Sequence, residues 1–410
     1  MSIIKPFKAL RPGAQFAKQV ASRPYDVLSS AEARVEARGN HCSFLHITKS
    51  EIDLAENIDT HTQEVYDRAK ENLTAFIKRD VLFRESKECY YVYRLIMDGR
   101  SQTGLVCVSS IDDYENDIIK KHEFTRPEKE QDRISHIKTT GAQTGNVFLA
   151  YRNVAAIDEL VEKCVNTKTA VYNFTADDGI EHAVWIINDT DATNKISSIF
   201  ETDVPCTYIA DGHHRAASAA KVRKALGGGS TANANYFLTT LFPASQLQIM
   251  DYNRVVKTLN GLTVSDFLAA IAQDFETEEK AEAYKPQHLH EFGFYADQKW
   301  YKLTAKPGTY TADPIGILDV TILQNNILSK LLNIHDQRTD KNIDFVGGIR
   351  GLAELEKRVD SGEMEAAFSL YPVSIEQLFS IADTGNVMPP KSTWFEPKLR
   401  DGLLTHLIYE

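Results

Sequence analysis

The chain of 410 residues carries 46 basic and 57 acidic side chains, a formal net charge of −11 with histidine neutral. Its length exceeds one ordinary core and predicts two domains or three, and a make-up of 43% hydrophobic and 25% charged residues is that of a globular protein without the bias of a disordered one. The acidic balance argues against non-specific DNA binding, which runs on lysine and arginine neutralising phosphates, but it leaves room for a local basic pocket.

The opening Met-Ser-Ile-Ile-Lys-Pro lacks an apolar core of signal-peptide length. Stretches such as Ala183 to Ile187 fall far short of the roughly 20 residues that span a bilayer. Five cysteines (Cys42, Cys89, Cys107, Cys164, Cys206) are scattered, odd in number and never in CxxC spacing, which speaks against structural disulfides and a thiolate zinc site. A reducing cytoplasm is the simplest setting.

Short apolar runs alternate with helical stretches, the pattern of mixed α/β architecture. Ser29 and Glu32 have capping-box spacing, so a helix is predicted from after Leu28 through Ala37. Tyr66 to Lys78 carries a helical stripe at Ala69, Leu73, Phe76 and Ile77. Tyr90 to Met97 and Thr103 to Ser109 read as strands around an Asp98-Gly99 turn. Asp112 to Arg133 is dense in both charge signs, which fits either a solvated helix and loop or an active-site arm. A strand at Val147 to Tyr151 and a helix from Ala156 to Val165 follow. Strands at Thr169 to Thr175 and His182 to Ile187 flank a second Asp-Gly turn, and Asp189 to Phe200 reads as a helix.

Thr207 to Ala210 is a short buried strand with a helix opening directly after it and running to about Leu226. Gly227 to Ser230 is a flexible break that lacks the Gly-Lys-Ser/Thr of a phosphate-cradling loop, so a domain boundary is placed there, with regions 1–226 and 231–410. Beyond it the pattern predicts a strand at Tyr236 to Phe242 and a helix at Arg254 to Leu259. A helix from Val264 to Phe275, capped by Thr263, precedes strands near Phe292 to Tyr295 and Trp300 to Thr304. A long amphipathic helix is expected over Ile315 to Leu332, then a helix around Leu352 to Val359, a strand at Ala366 to Tyr371, and a helix capped by Ser374 with Gln377.

Asp211-Gly212-His213-His214-Arg215 is the most specific stretch, because it falls between a buried strand and a helix start. That position leaves amide N–H groups and the positive end of the helix dipole facing outward, an anion site before any side chain contributes. Gly212 permits close backbone approach, Asp211 can cap the helix or hold a metal or hydroxyl, and Arg215 can grip two oxygens at once. The bland alternative is ordinary turn chemistry with structural histidines. His213 and His214 point about 100° apart on a helix, so chelation of one ion by the pair is disfavoured.

His122-Glu123-Phe124-Thr125-Arg126-Pro127 is a second candidate. Pro127 turns Arg126 away from helix, so Thr125 and Arg126 can meet a phosphate or carboxylate and Glu123 can act as a base; a charged exposed loop is the alternative. In Arg23-Pro24-Tyr25-Asp26 the aspartate is a base, a metal ligand or a turn residue. Lys391 and Thr393, near the C-terminus, are further phosphate contacts or plain surface residues. His46 reads as a core histidine.

The segment from Tyr208 to Arg215 resembles the central motif of the bacterial family catalogued as domain of unknown function 1015. The likeness runs nearly the whole chain: Lys5-Pro6-Phe7, Leu10-Arg11-Pro12, Pro24-Tyr25-Asp26-Val27-Leu28, Ser43-Phe44-Leu45-His46, His122 to Pro127, Asp344-Phe345-Val346-Gly347-Gly348, and Met388 to Thr393. Arg23 stands where a proline is usual. The Asp-Gly-His-His-Arg motif is in turn similar to that of the ParB-like superfamily and its free-serine kinases, in which the turn binds nucleotide phosphates and an acidic residue takes the proton from the serine hydroxyl. Only Asp211 to Arg215 match that motif, so the base stays open between Asp211 and Asp26.

The resemblance implies a ParB-like, serine-kinase-like core with an additional mixed-sheet domain. It implies a phosphoryl-transfer enzyme of serine metabolism acting on serine or phosphoserine, with ADP or ATP as co-substrate and Mg²⁺ accompanying the nucleotide. Two alternatives stand beside it: a phosphoserine phosphatase that uses a metal or employs His213 as acid or nucleophile, and a non-catalytic nucleotide-binding regulator. The expected partners are small molecules, without nucleic acid or membrane, and a homodimer is compatible.

Overall fold

Asp98 (φ 51°) and Gly99 (φ 77°) adopt the left-handed backbone that a two-residue hairpin demands, and they join the antiparallel strands Tyr90–Met97 and Arg100–Ser110. The computed structural model describes residues 1–227 and 231–409, so all but Gly227 of the expected glycine-rich break lies outside the described residues. The chain divides into two units, Met1–Leu247 with the C-terminal stretch from Pro397, and Gln248–Glu396. The division falls beyond the glycine-rich break because strand Tyr236–Pro243 is built into the first unit's sheet, paired with Arg100–Ser110 and Val147–Tyr151.

That sheet is nine-stranded and mixed. Its order runs from Ile119–Lys120 through Thr207–Asp211, Val147–Tyr151, Tyr236–Pro243, Arg100–Ser110, Tyr90–Met97 and Glu181–Ile187 to Tyr172–Thr175, with Ile4–Lys5 joining Arg100–Ser110. Thr207–Asp211 lies parallel to Ile119–Lys120, and Tyr236–Pro243 parallel to Val147–Tyr151; the other pairings are antiparallel. Leu149, Ile209 and Leu241 of the central strands share a core with Ile196 and Phe200 of helix Thr190–Asp203, whose Asp189 caps the Ala192 amide. A second cluster joins Leu73 and Phe76, on the buried stripe of helix Gln63–Lys78, to Phe44 and Val20; each such side chain contributes about 1.5–3 kcal/mol. The Ser29–Glu32 capping box starts helix Ser30–Glu36 as its spacing predicts.

The second unit holds a six-stranded sheet ordered Phe275–Lys280, Lys299–Ala305, Glu291–Ala296, Ala366–Leu370, Tyr252–Val256, Ile343–Gly347. Every pairing in it is antiparallel, so the additional sheet is not mixed. The helix expected at Arg254 to Leu259 is replaced by the fully buried strand Tyr252–Val256, in keeping with the β-branched Val255 and Val256. The long helix expected from Ile315 begins only at Asp319 and widens into a π turn over Gln324–Ser329. Phe275–Lys280 is a strand at the sheet's edge whose exposed glutamates guard it against further pairing.

Candidate functional site

A register shift between Ile209 and Asp211 ends the strand Thr207–Asp211, and Gly212 turns the chain with φ 99° and ψ 29°. A side chain at 212 would place its Cβ 3.3 Å from the Val147 Cα, so glycine is required by both conformation and space. Helix His213–Ala225 opens immediately, with no side-chain cap. The amides of His213, His214 and Arg215 therefore have no acceptor inside their own helix. Ala216, Ala217, Ala219 and Ala220 are buried, which lets this helix lie close to its surroundings.

Arg215, on the first turn, is buried at 9% exposure and gathers the charges of the site. Its Nη2 donates to Asp26 Oδ2 at 2.9 Å and lies 3.8 Å from Asp211 Oδ2, while its Nη1 donates to the Asn146 carbonyl. Burial disfavours the guanidinium charge, but Asp26 and then Asp211 outweigh it and hold Arg215 well above its ordinary value. Asp211 also takes Lys398 Nζ at 3.3 Å. Burial pushes that carboxyl up, yet Lys398 and Arg215 together hold it well below the usual carboxylate range. The side chains of Asp26 and Asp211 remain 32% and 31% exposed, so the open edge of the cluster is acidic and its cationic floor lies beneath.

The histidines clasp the arm that precedes helix Pro127–Thr140. His213 Nε2 accepts the His122 amide at 3.4 Å and His214 Nε2 accepts the Arg126 amide at 2.9 Å. His213 Nδ1 lies 3.9 Å from Glu123 Oε2, and the His122 and His213 rings meet edge to face at 4.6 Å. Burial, then the neighbouring His122, lowers His213 well below its ordinary value, so it is neutral at pH 7. Burial likewise lowers His122 to about 4, and its buried Nδ1 has no partner among the described residues. Arg126 is the extended residue before Pro127, as its sequence position requires, and the Thr125 hydroxyl bonds the Glu130 carboxylate.

Asp26, Glu123, Thr125 and Arg126 thus gather around Asp211 to Arg215 in the first unit. Lys391 and Thr393 lie in the second unit, where the Lys391 ammonium sits 5.5 Å from the centre of the Tyr252 ring. His46 is held between Asp53 (2.7 Å) and the Asn40 carbonyl (3.1 Å), a structural role.

The cluster also holds Tyr25 and Arg133, which the sequence marks only as parts of longer stretches, and Lys398 and Asp401, which it does not mark. Lys398 partners Asp211. Tyr25 places its ring 3.9 Å from the Arg133 guanidinium and 5.9 Å from that of Arg215. Asp401 is 1% exposed, exchanges backbone hydrogen bonds with Ser22, and has an Oδ2 without a partner among the described residues. Burial pushes its carboxyl up to about 7, against the pull of Arg215. No local signal marks Lys398 or Asp401. Tyr25, Arg133, Gly145 and Arg215 line a cavity of about 20 Å³, room for a water but not for a phosphate, and at the turn itself Gly212 and His213 are buried while Asp211 and His214 are half-buried. Groups of three or more metal-ligating side chains are absent among the described residues. Mg²⁺ bound with nucleotide phosphates commonly uses one or two carboxylates, and the part-exposed Asp26 and Asp211 fit that demand.

Residues 4–321 match the family described as Protein of unknown function (DUF1015). Among curated proteins none matches the sequence. A conserved hypothetical protein from Pyrococcus furiosus aligns over 73% of this chain and 94% of its own at 15% identity and a TM-score of 0.37. A mutant free serine kinase in complex with AMP aligns over 73% and 92% at 13% identity and 0.38, and C-terminally truncated SbnI from Staphylococcus aureus over 72% and 85% at 12% and 0.32. Likeness at this level leaves function to be argued from the site.

Proposed function

The chain belongs to the DUF1015 family of proteins of unknown function, and from that premise we propose a phosphoryl-transfer enzyme acting on a small hydroxy compound, with serine or phosphoserine as substrate and ADP or ATP as co-substrate. The observation that carries this reading is the buried Arg215, held charged by Asp26 and Asp211 directly below an uncapped helix start at Gly212. Fixed amide donors and a fixed guanidinium beside developing negative charge are what phosphoryl transfer asks of a protein. The motif's similarity to that of the free-serine kinases points the same way.

In this reading the amides of His213 and His214 meet the phosphoryl oxygens, and Arg215 supplies the countercharge. Asp26 is favoured as the base that takes the hydroxyl proton, since Asp211 is held too acidic by Lys398 and Arg215 to accept one readily. Mg²⁺, when bound with the nucleotide, would be held by Asp26 or Asp211 and would neutralise phosphate charge. The position of His213 weighs against its serving as a nucleophile: it is buried, neutral, and uses Nε2 to accept the His122 amide.

Thermal unfolding of the full chain with ADP, ATP, CTP, serine and phosphoserine, each with and without Mg²⁺, tests this directly, because a ligand of the folded form raises the melting temperature. Phosphoserine formed from serine and nucleotide supports the kinase. Phosphate released from phosphoserine alone would favour the phosphatase, and a nucleotide shift without turnover the regulator. A panel without any shift overturns the proposal.

A further inference from the structure

Tyr25 and Arg133 line two cavities: the small one they share with Arg215, and a second of about 140 Å³. The second has room for several waters or one compact molecule. Val65 is the only aliphatic residue among those described in its wall, so its contents must be polar.

Both signs of charge face this space. Lys49 Nζ lies 3.0 Å from Glu51 Oε1, which also accepts the Ser30 hydroxyl at 2.7 Å. Arg133 donates through Nε and Nη2 to Asp132 Oδ2 at 2.9 and 2.7 Å, and Asp132 Oδ1 accepts the Tyr66 hydroxyl. Two valences remain. Glu51 Oε2 and Arg133 Nη1 are not used in these contacts, in residues that are 5% and 9% exposed. Neither atom is sealed away from solvent, so each can be answered by water or by a ligand that enters the cavity. An anion alone would be repelled by Glu51, and a cation alone by Arg133. A molecule bearing one charge of each sign satisfies both.

We propose that this cavity is the acceptor subsite and takes a compact amino acid as its zwitterion, the carboxylate on Arg133 and the ammonium on Glu51. The assignment of an acceptor role rests on the phosphoryl-transfer reading. Tyr25, in the cavity wall, immediately precedes Asp26, the residue that meets Arg215.

Titration calorimetry on the full chain separates the two ideas. The probes are L-serine, D-glycerate, which lacks the ammonium, and ethanolamine, which lacks the carboxylate, with ADP measured independently. L-Serine is expected to bind, and each analogue at least tenfold more weakly. Glu51→Gln, which preserves shape and the Ser30 contact, and Thr60→Trp, which fills the half-buried rim, should each weaken L-serine at least tenfold and leave ADP unchanged. L-Serine binding untouched by both variants, analogues as tight as L-serine, or ADP binding without any L-serine binding would overturn the subsite and spare the phosphoryl-transfer reading. L-Serine binding that both variants weaken, in a chain that binds no nucleotide, would uphold the subsite and sink that reading instead.

Discussion

Replacing Asp401 by asparagine tests the electrostatics of the cluster most sharply. The unfolded carboxyl ionises near 3.9, whereas burial pushes the folded one up to about 7, so the native state holds an additional proton between those values. The stability linked to that proton is complete below about pH 4 and is lost as pH rises toward 7, levelling off above it. At about 1.36 kcal/mol per pH step the full span is about 4 kcal/mol. Asparagine keeps an acceptor for the Tyr25 amide and cannot ionise, which removes the slope. Asp401→Asn should therefore match the parent at pH 4 and below, exceed it by about 1.5 kcal/mol at pH 5 and by about 4 kcal/mol at pH 8. Urea unfolding in a Trp300→Phe, Trp394→Phe background lets Trp185 report the first unit alone. A variant less stable than the parent at pH 8 would refute the reasoning, since Asp401 would then be an ionised counterpart of Arg215.

Other expectations follow from the same contacts. Gly212→Ala forces a Cβ into left-handed backbone and against Val147, and should cost about 1–3 kcal/mol and diminish any nucleotide-induced rise in melting temperature. Arg215→Ala strands Asp26 and Asp211 and should lower stability by about 3–5 kcal/mol and abolish that rise. Arg215→Lys should not restore binding, because a single ammonium cannot reach Asn146 and Asp26 together; full recovery would contradict the bidentate role. Asp26→Asn should slow phosphoryl transfer by about 10²–10⁴-fold, well beyond any weakening of ADP binding, and an undiminished rate would exclude it as the base.

Local physics made much of this architecture readable. Strand Val147–Tyr151, the Asp98-Gly99 hairpin and the Ser29 and Ser374 capping boxes each announce themselves within a few residues. The same holds for Asp211 to Arg215, where a buried strand meets a glycine and a helix start. At Arg254 to Leu259 the expected helix gave way to a strand; the Arg254 guanidinium is wholly buried and donates to the Tyr252 and Pro390 carbonyls and to Gln337, partners that no local pattern shows. Asp401 and Lys398 were invisible for a related reason. Their roles come from partners far away in sequence, Ser22, Arg215 and Asp211, and no window of neighbouring residues encodes such pairings.

The stretch from Pro397 rejoins the first unit after the whole of Gln248–Glu396 has intervened. Ribosomal synthesis delivers residues in order, so most of the nine-stranded sheet emerges long before Lys398 and Asp401 exist. A nascent chain paused before residue 397 carries Asp211 without its ammonium partner and Ser22 without the Asp401 backbone it bonds. Maturation of the charged cluster is thereby postponed until the stretch from Pro397 has been made, which ties competence of this corner to those late residues.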